Sequence, residues 1–521
     1  MACQILTDST ILLAGVRSVA SASLEASASA GRLGSTVDLG YAKYISSTNR
    51  LGIDEFLGMR FAAPPLGDLR FRAPQDPLPE EETIRADKHG PICLSVMEEF
   101  VPSNPSAEDC LSIDVFTPAN PKKSSRLPVV LWIQGGAHNT NCDANFNGSS
   151  LINASNHNMI VVTFNYRVGP YGFLASEDVR RDGDLNVGLL DQRKAMEWTK
   201  KHISSFGGDP NHIVLMGTSS GGGSVMYQLA AFDGKHNDLF VGAIASSSSH
   251  TSYRALPGEQ LQAANIARPY PGSRGVALFT YAPCIDGSFF TRPPISQIRS
   301  GKLTSVPLLI GNTEDEGTMF GLEANTTEQV SDILKIQYPE LTTKSLDAIN
   351  IIYPFDAARH SALHTPFFAS ASAAYGEGIM TCPSLNLAKS LSLRAPSAVR
   401  VWNYRYNVRE PANIAAGLGV PYTWEIDAVW GPGYAVNPKG SNSYTGVDAS
   451  IVPVVQTYWQ SFIRTVNPNT HKANDSPLWE PFTKDNWLLI QTNTTRMEFQ
   501  SRAEASRCVL WESIRNSSLH Q

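Results

Sequence analysis

The chain has 521 residues, 42% of them apolar and 17% charged, so it can bury a sizeable core without a metal or disulfide framework to hold it. Its net charge is −6 with no long basic or acidic run, which gives nucleic acid no footing as a partner. No stretch of about 20 uninterrupted apolar residues suggests a membrane-spanning helix.

The first elements are unlike the rest. Ile11 to Val16 is a short apolar run, followed by Ala/Ser-rich sequence from Val19 to Ala30. Residues 1–36 read either as a signal peptide ending in small residues or as a disordered N-terminus. No Lys or Arg precedes the run, and Asp8 and Arg17 flank it, so both readings stay open. Asn147, Asn153, Asn325, Asn474, Asn493 and Asn516 each begin an Asn-x-Ser/Thr triplet. That is more than chance supplies, and it points to a secreted glycoprotein. The seven cysteines are odd in number, so at least one thiol is free or pairs between chains.

Strand-like apolar runs follow at Val129 to Ile133, Met159 to Phe164, Ile213 to Met216, Val306 to Ile310, Val399 to Tyr404 and Trp487 to Ile490. Helical patterns lie between them, at Asp191 to Ser204 and Val225 to Ala231. This alternation predicts an α/β fold with a mostly parallel sheet covered on both faces. With no repeat and no linker after residue 35, residues 37–521 are expected to form one domain.

Gly217-Thr218-Ser219-Ser220-Gly221 fits G-x-S-x-G, a weak pattern alone. An apolar strand runs directly into it and a helix-compatible stretch follows. A strand that turns sharply into a helix strains its corner residue, and flanking glycines remove the Cβ clashes. Ser219 is therefore the candidate nucleophile.

Longer motifs now come into play. Asn186 to Gln192, Phe206 to Pro210, Phe56-Leu57-Gly58 with Pro64-Pro65 and Leu69-Arg70-Phe71, Glu108 to Leu111, and Asn165 to Gly169 occur in one order with the elbow. Together they resemble the type-B carboxylesterase, lipase and cholinesterase family, from about residue 37 to the C-terminus. The resemblance implies an α/β-hydrolase fold. It further implies Ser219 as nucleophile, an oxyanion hole from the N–H groups of Gly136, Ala137 and Ser220, and Glu316 as the triad carboxylate. Two positions depart from the family pattern: Gln134 stands for its usual His, and Ala137 for a Gly.

The larger departure is the base. Gly419 to Glu425 resembles the segment in which the family's catalytic His precedes Glu by three, and that position is Tyr422. A phenol with pKa near 10 is a poor general base beside an imidazole near 6.5. Among other histidines, His138 beside the oxyanion loop is the first alternative base, with His360 and His364 behind it. The resemblance also implies a Cys93–Cys110 disulfide, worth about 3 kcal/mol in the chain-entropy model, and ion pairs Arg70–Glu108 and Arg167–Asp191. The segment from Ser249 to Pro283 is shorter than the family's helical insert.

The expected function is a carboxylesterase-like hydrolase on a small-molecule ester, weakened by Tyr422. Two alternatives remain: a non-hydrolytic cyclase or lyase acting on a natural product, and a catalytically inactive binding or adhesion member. No cofactor, metal, nucleic-acid partner or membrane span is expected; oligomeric state is open.

Overall fold

The apolar runs form strands because both of their faces are buried. In the computed structural model, which describes residues 32–96, 106–141, 145–235, 238–249, 279, 281–394, 396, 399–435, 442–483 and 485–518, Val129, Leu131 and Ile133 enter one core. Val130 and Trp132 enter a second core on the opposite face. Alternate side chains of a strand point to opposite faces, so a strand covered on both sides reads as one continuous apolar run.

Among the described residues a 13-stranded sheet organises the molecule. Its strands in chain order are β1 (Arg32–Asp38), β2 (Lys43–Thr48), β3 (Ile53–Arg60), β4 (Thr83–Ala86), β5 (Ser112–Pro118), β6 (Leu127–Ile133) and β7 (Ile160–Phe164). Then come β8 (Gly208–Thr218), β9 (Gly242–Ser246), β10 (Leu308–Thr313), β11 (Val401–Tyr406), β12 (Asn486–Ile490) and β13 (Arg496–Phe499). The spatial order is β1-β2-β3-β5-β7-β6-β8-β9-β10-β11-β12-β13, with β4 beside β2. From β7 through β12 neighbouring strands are parallel. The β1-β2-β3-β5-β7 side and the terminal β12–β13 pair are antiparallel.

Helices close both faces. In α1 (Val187–His202), Leu189, Gln192, Met196 and Thr199 are buried at helical spacing. Helix α2 (Ser220–Ala230) is buried throughout. On the other face, α3 (Ile451–Thr465) lays Val455, Tyr458, Trp459, Phe462 and Ile463 against the sheet, a run of i, i+3, i+4, i+7 and i+8.

Several boundaries differ from the sequence expectation for local reasons. The strand expected from Val306 begins at Leu308, after Pro307, which has no N–H for the ladder. Helix α2 begins at Ser220 instead of Val225, because its three glycines serve close packing and do not break the helix. A Cβ on Gly221 would stand 2.0 Å from Ile133 O, and one on Gly223 2.3 Å from Ser249 O. The strand β1 spans the boundary expected between residues 36 and 37; the leader at 1–31 and most of the shortened segment after Ser249 lie outside the described residues.

Cys93 and Cys110 are joined as expected, and a second disulfide, Cys382–Cys508, was not foreseen. Cys284 is a buried free thiol. Arg167 and Asp191 form a buried pair with Nε and Nη2 contacts of 2.8 and 2.6 Å, and Arg167 also donates to the carbonyls of Leu69, Arg70 and Arg72. Arg70 contacts Glu108 through two nitrogens, half exposed. Among the described residues no helix is long and apolar enough to cross a membrane, and no cluster of His, Cys, Asp or Glu could hold a metal.

Candidate functional site

Ser219 stands at the corner between β8 and α2 with φ 63° and ψ −132°, a strained backbone for a residue with a side chain. The corner is stitched on all sides. Ser219 N donates to Ser246 O on β9 at 3.1 Å, and Ser219 O accepts from Gly223 and Ser249 N–H groups at 2.9 and 3.1 Å. No described residue hydrogen-bonds the half-buried Ser219 hydroxyl.

Opposite it, the loop after β6 runs through three left-handed residues in succession: Gly136 (φ 110°), Ala137 (φ 56°) and His138 (φ 62°). Gly136 is required, since a Cβ there would lie 2.0 Å from Thr140 O. Ala137 tolerates the conformation at a cost of about 1–2 kcal/mol. Two contacts lock the loop. Ser220 Oγ accepts His138 N–H at 3.2 Å, tying it to the nucleophile helix. Asn139 Nδ2 donates to Ala137 O and Tyr281 O at 2.6 and 2.8 Å. Among the described residues the N–H groups of Gly136, Ala137 and Ser220 have no acceptor. Two buried donors and one half-buried donor, all open among the described residues, are the kind of group an oxyanion site needs.

Gln134 faces inward, donating to Asn141 and Asn165 at 2.6 and 3.2 Å, and serves the scaffold. His138 does the same. Its ring is fully buried between Phe173 and Tyr227, with Nε2 3.0 Å from Ser224 Oγ. His364 stacks on Phe368 and bonds Glu323 and Ala416 O, and His360 lies against Phe355.

The acid follows β10. Glu316 is buried, its Oε1 accepting from Asn312 Nδ2 at 2.8 Å and Thr313 N at 3.0 Å, while Oε2 has no hydrogen-bond partner among the described residues. Its loop is sewn to the loop of Tyr422. Asp315 N donates to Val420 O and Val420 N to Asp315 Oδ2, both at 2.9 Å, and Asp315 pairs with Pro421. Gly419 permits this, because a Cβ there would stand 2.1 Å from Asp315 Oδ2. Glu316 and Tyr422 thus each sit one residue beyond the paired positions. Tyr422 is half-buried, with its ring 5.3 Å from that of Phe320.

A second carboxylate was missed as a site residue. Glu425, buried, accepts from Tyr404 OH at 3.0 Å and Ser247 Oγ at 3.4 Å, and its Oε2 has no hydrogen-bond partner among the described residues. Burial pushes the Glu316 carboxyl up to about 8, helped by the charge of Glu425, while Asn312 and the nearby Ser247 hydroxyl work against the rise. Burial likewise pushes Glu425 to about 7. Burial and mutual repulsion thus both work against two negative charges on this pair. The only signal in the sequence was the spacing of Glu425 three residues after Tyr422.

The Carboxylesterase family profile matches residues 39–270 and 254–511. The chain belongs to the carboxylesterase family. The crystal structure of Aspergillus niger EstA superposes with a TM-score of 0.88 at 40% identity, covering 93% of this chain and 98% of that one. Secreted lipase 4 of Gibberella zeae is 29% identical over 512 residues, 88% of each chain. Lipase 4 of Diutina rugosa is 30% identical over 64% of this chain and 72% of its own. The carboxylesterase profile meets the chain in two pieces that overlap at residues 254–270, within the shortened segment after Ser249.

Proposed function

We propose that the chain is a secreted carboxylic-ester hydrolase whose turnover is weakened at one step, the removal of the nucleophile's proton. Ser219 Oγ attacks the ester carbonyl, and the electron pair of the C=O bond moves onto oxygen, held by the N–H groups of Gly136, Ala137 and Ser220. The Oγ proton must leave as the new C–O bond forms, and the alkoxide must gain one as it departs. An imidazole does both; the Tyr422 phenol is a weak base for the first and a serviceable acid for the second. Losing the base of a serine triad costs on the order of 10⁶ in kcat, with about 10³–10⁴ over water remaining from the oxyanion hole and binding.

The observation that carries this reading is the strained Ser219 corner, tied through Ser220 to a loop whose Gly136 and Ala137 N–H groups, like that of Ser220, have no acceptor among the described residues. Two disulfides and the secreted relative support export from the cell. A second reading has its own observation. A protonated Glu316 near a phenol gives two proton donors beside an oxyanion hole, which suits enolate chemistry in a cyclase or lyase.

Hydrolysis of a short-chain nitrophenyl ester by the intact protein, Ser219→Ala and Tyr422→His tests both. The expected result is slow turnover that vanishes in Ser219→Ala and rises at least about 100-fold in Tyr422→His. Turnover that survives Ser219→Ala would overturn the nucleophile assignment. No turnover without the histidine, and ready turnover with it, favours the non-hydrolytic reading.

A further inference from the structure

Between the helices Thr343–Ile352 and Phe368–Gly376, residues 354–367 form turns but no helix or strand. They touch both loops of the candidate site. Arg359 Nη2 donates to Asp315 Oδ1, whose other oxygen accepts Val420 N–H at 2.9 Å in the seam between the Glu316 and Tyr422 loops. His364 spans the same two loops at a second point. Its Nδ1 lies 2.7 Å from Glu323 Oε1, seven residues beyond Glu316. Its Nε2 lies 2.9 Å from Ala416 O, six residues before Tyr422.

Both of these partners are acceptors. Burial raises the Glu323 carboxyl, but the Thr365 hydroxyl and N–H and the His364 ring outweigh it and hold it below the usual range. Ala416 offers only a carbonyl oxygen. A ring that satisfies both must donate from both nitrogens, which only the imidazolium can do. Stacking on Phe368 at 3.8 Å fixes the plane of the ring. Gly417, at φ 74°, lets the chain pass beneath it, since a Cβ there would stand 3.0 Å from His364 Cδ2.

We propose that His364 is a positioning residue of the candidate site, forming with Arg359 a clasp that fixes Glu316 relative to position 422. Asp315 and Val420 join the two loops at one point, about which they could still pivot. His364 joins them again, from the far end of the acid loop to the near end of the Tyr422 loop, and so removes the pivot. The effect on turnover rests on the ester-hydrolase reading; the clasp itself does not.

Substitution of His364 at about pH 6, where histidine rings readily take a proton, tests the clasp. Glutamine can donate to only one of the two acceptors, whereas the arginine fork can reach both and keeps the charge. In the parent chain, His364→Gln is expected to speed amide exchange in peptides covering 313–323 and 413–425 at least about tenfold, the loss of one charged hydrogen bond. Exchange in α3 should not change. In the Tyr422→His background, His364→Gln is expected to lower kcat about 10- to 100-fold per Ser219 titrated with a covalent probe, the scale of a misplacement of about 1 Å. His364→Arg is expected to restore both. Unchanged exchange at the two loops, or exchange raised equally in α3, would overturn the clasp. So would the two substitutions behaving alike. Faster loop exchange with unchanged turnover in an active Tyr422→His protein would overturn the positioning role. A Tyr422→His protein without turnover would count against the hydrolase reading instead, and exchange alone then decides the clasp. Should His364→Gln fail to fold, Glu323→Gln removes the charge from the other end of the same bridge and takes its place.

Discussion

Replacing Glu316 with Gln isolates the electrostatic cost of the candidate acid. The amide keeps an oxygen for Asn312 Nδ2 and Thr313 N, and its nitrogen replaces an oxygen that has no partner. Packing and hydrogen bonds are therefore preserved while the charge is removed. The folded carboxyl titrates at about 8 against 4.5 in the unfolded chain. Between those values the folded state binds more protons than the unfolded one, so stability falls as pH rises, by about 1.4 kcal/mol per pH unit. From pH 4.5 to pH 7 that amounts to about 3 kcal/mol. Glu425 acts in the same direction and is coupled to Glu316, so the pair costs less than the two taken separately. For a chain of this length 1 kcal/mol moves the melting temperature by roughly 1 °C. Thermal scans at pH 5 and pH 7.5 are expected to show Glu316→Gln gaining about 3 °C on the parent protein between the two conditions. Equal pH dependence in both proteins would refute the reasoning, since it would mean that Glu316 is already ionised or already compensated.

Three further outcomes are expected. Asp191→Ala leaves Arg167 buried beside an empty site, and thermal denaturation should register a loss of about 3–5 kcal/mol. Gly419→Ala places a side chain at φ 68° against Asp315 Oδ2. It should loosen the seam between the Glu316 and Tyr422 loops, and lower ester turnover in the Tyr422→His background more than it lowers melting temperature. Trp459→Ala, at the centre of the α3 face, should cost about 3–5 kcal/mol by chemical denaturation.

What the sequence revealed follows from how evenly each segment is buried. The parallel strands β6, β7 and β12, and β8 from Ile213 to Met216, are legible because two cores bury them on both faces. The antiparallel side is not: β2, Lys-Tyr-Ile-Ser-Ser-Thr, carries hydroxyls that bond Asp54 and Ser35 and so hides as loop. Strand β9, Gly-Ala-Ile-Ala-Ser, is fully buried, but its side chains are too small to form an apolar signal. Motif resemblance supplied Ser219, Glu316, Tyr422 and the Cys93–Cys110 bridge. It did not supply Cys382–Cys508, whose partners lie 126 residues apart, nor the pairing of Glu425 with Tyr404 across the end of β11. Those contacts exist only once the sheet has brought distant strand ends together.

The same distinction bears on the proposed reading, in which the site keeps its shape without a histidine base. The proposed oxyanion donors are backbone groups, and their positions are fixed by contacts the fold needs anyway. A Cβ on Gly221 would stand 2.0 Å from Ile133 O, so only glycine lets α2 pack this closely, and Ser220 Oγ holds His138 N–H. The base is a single side chain at the rim of a loop. A tyrosine there joins an aromatic chain from Tyr422 to Phe320 to Tyr375, so the exchange offers packing in return for chemistry. Burial and the neighbouring charge of Glu425 both push the Glu316 carboxyl upward, so it gives up its proton less readily than a free carboxylic acid. On the proposed reading, a substrate would meet an anion site and two weak acids, an arrangement stronger at stabilising negative charge than at creating it.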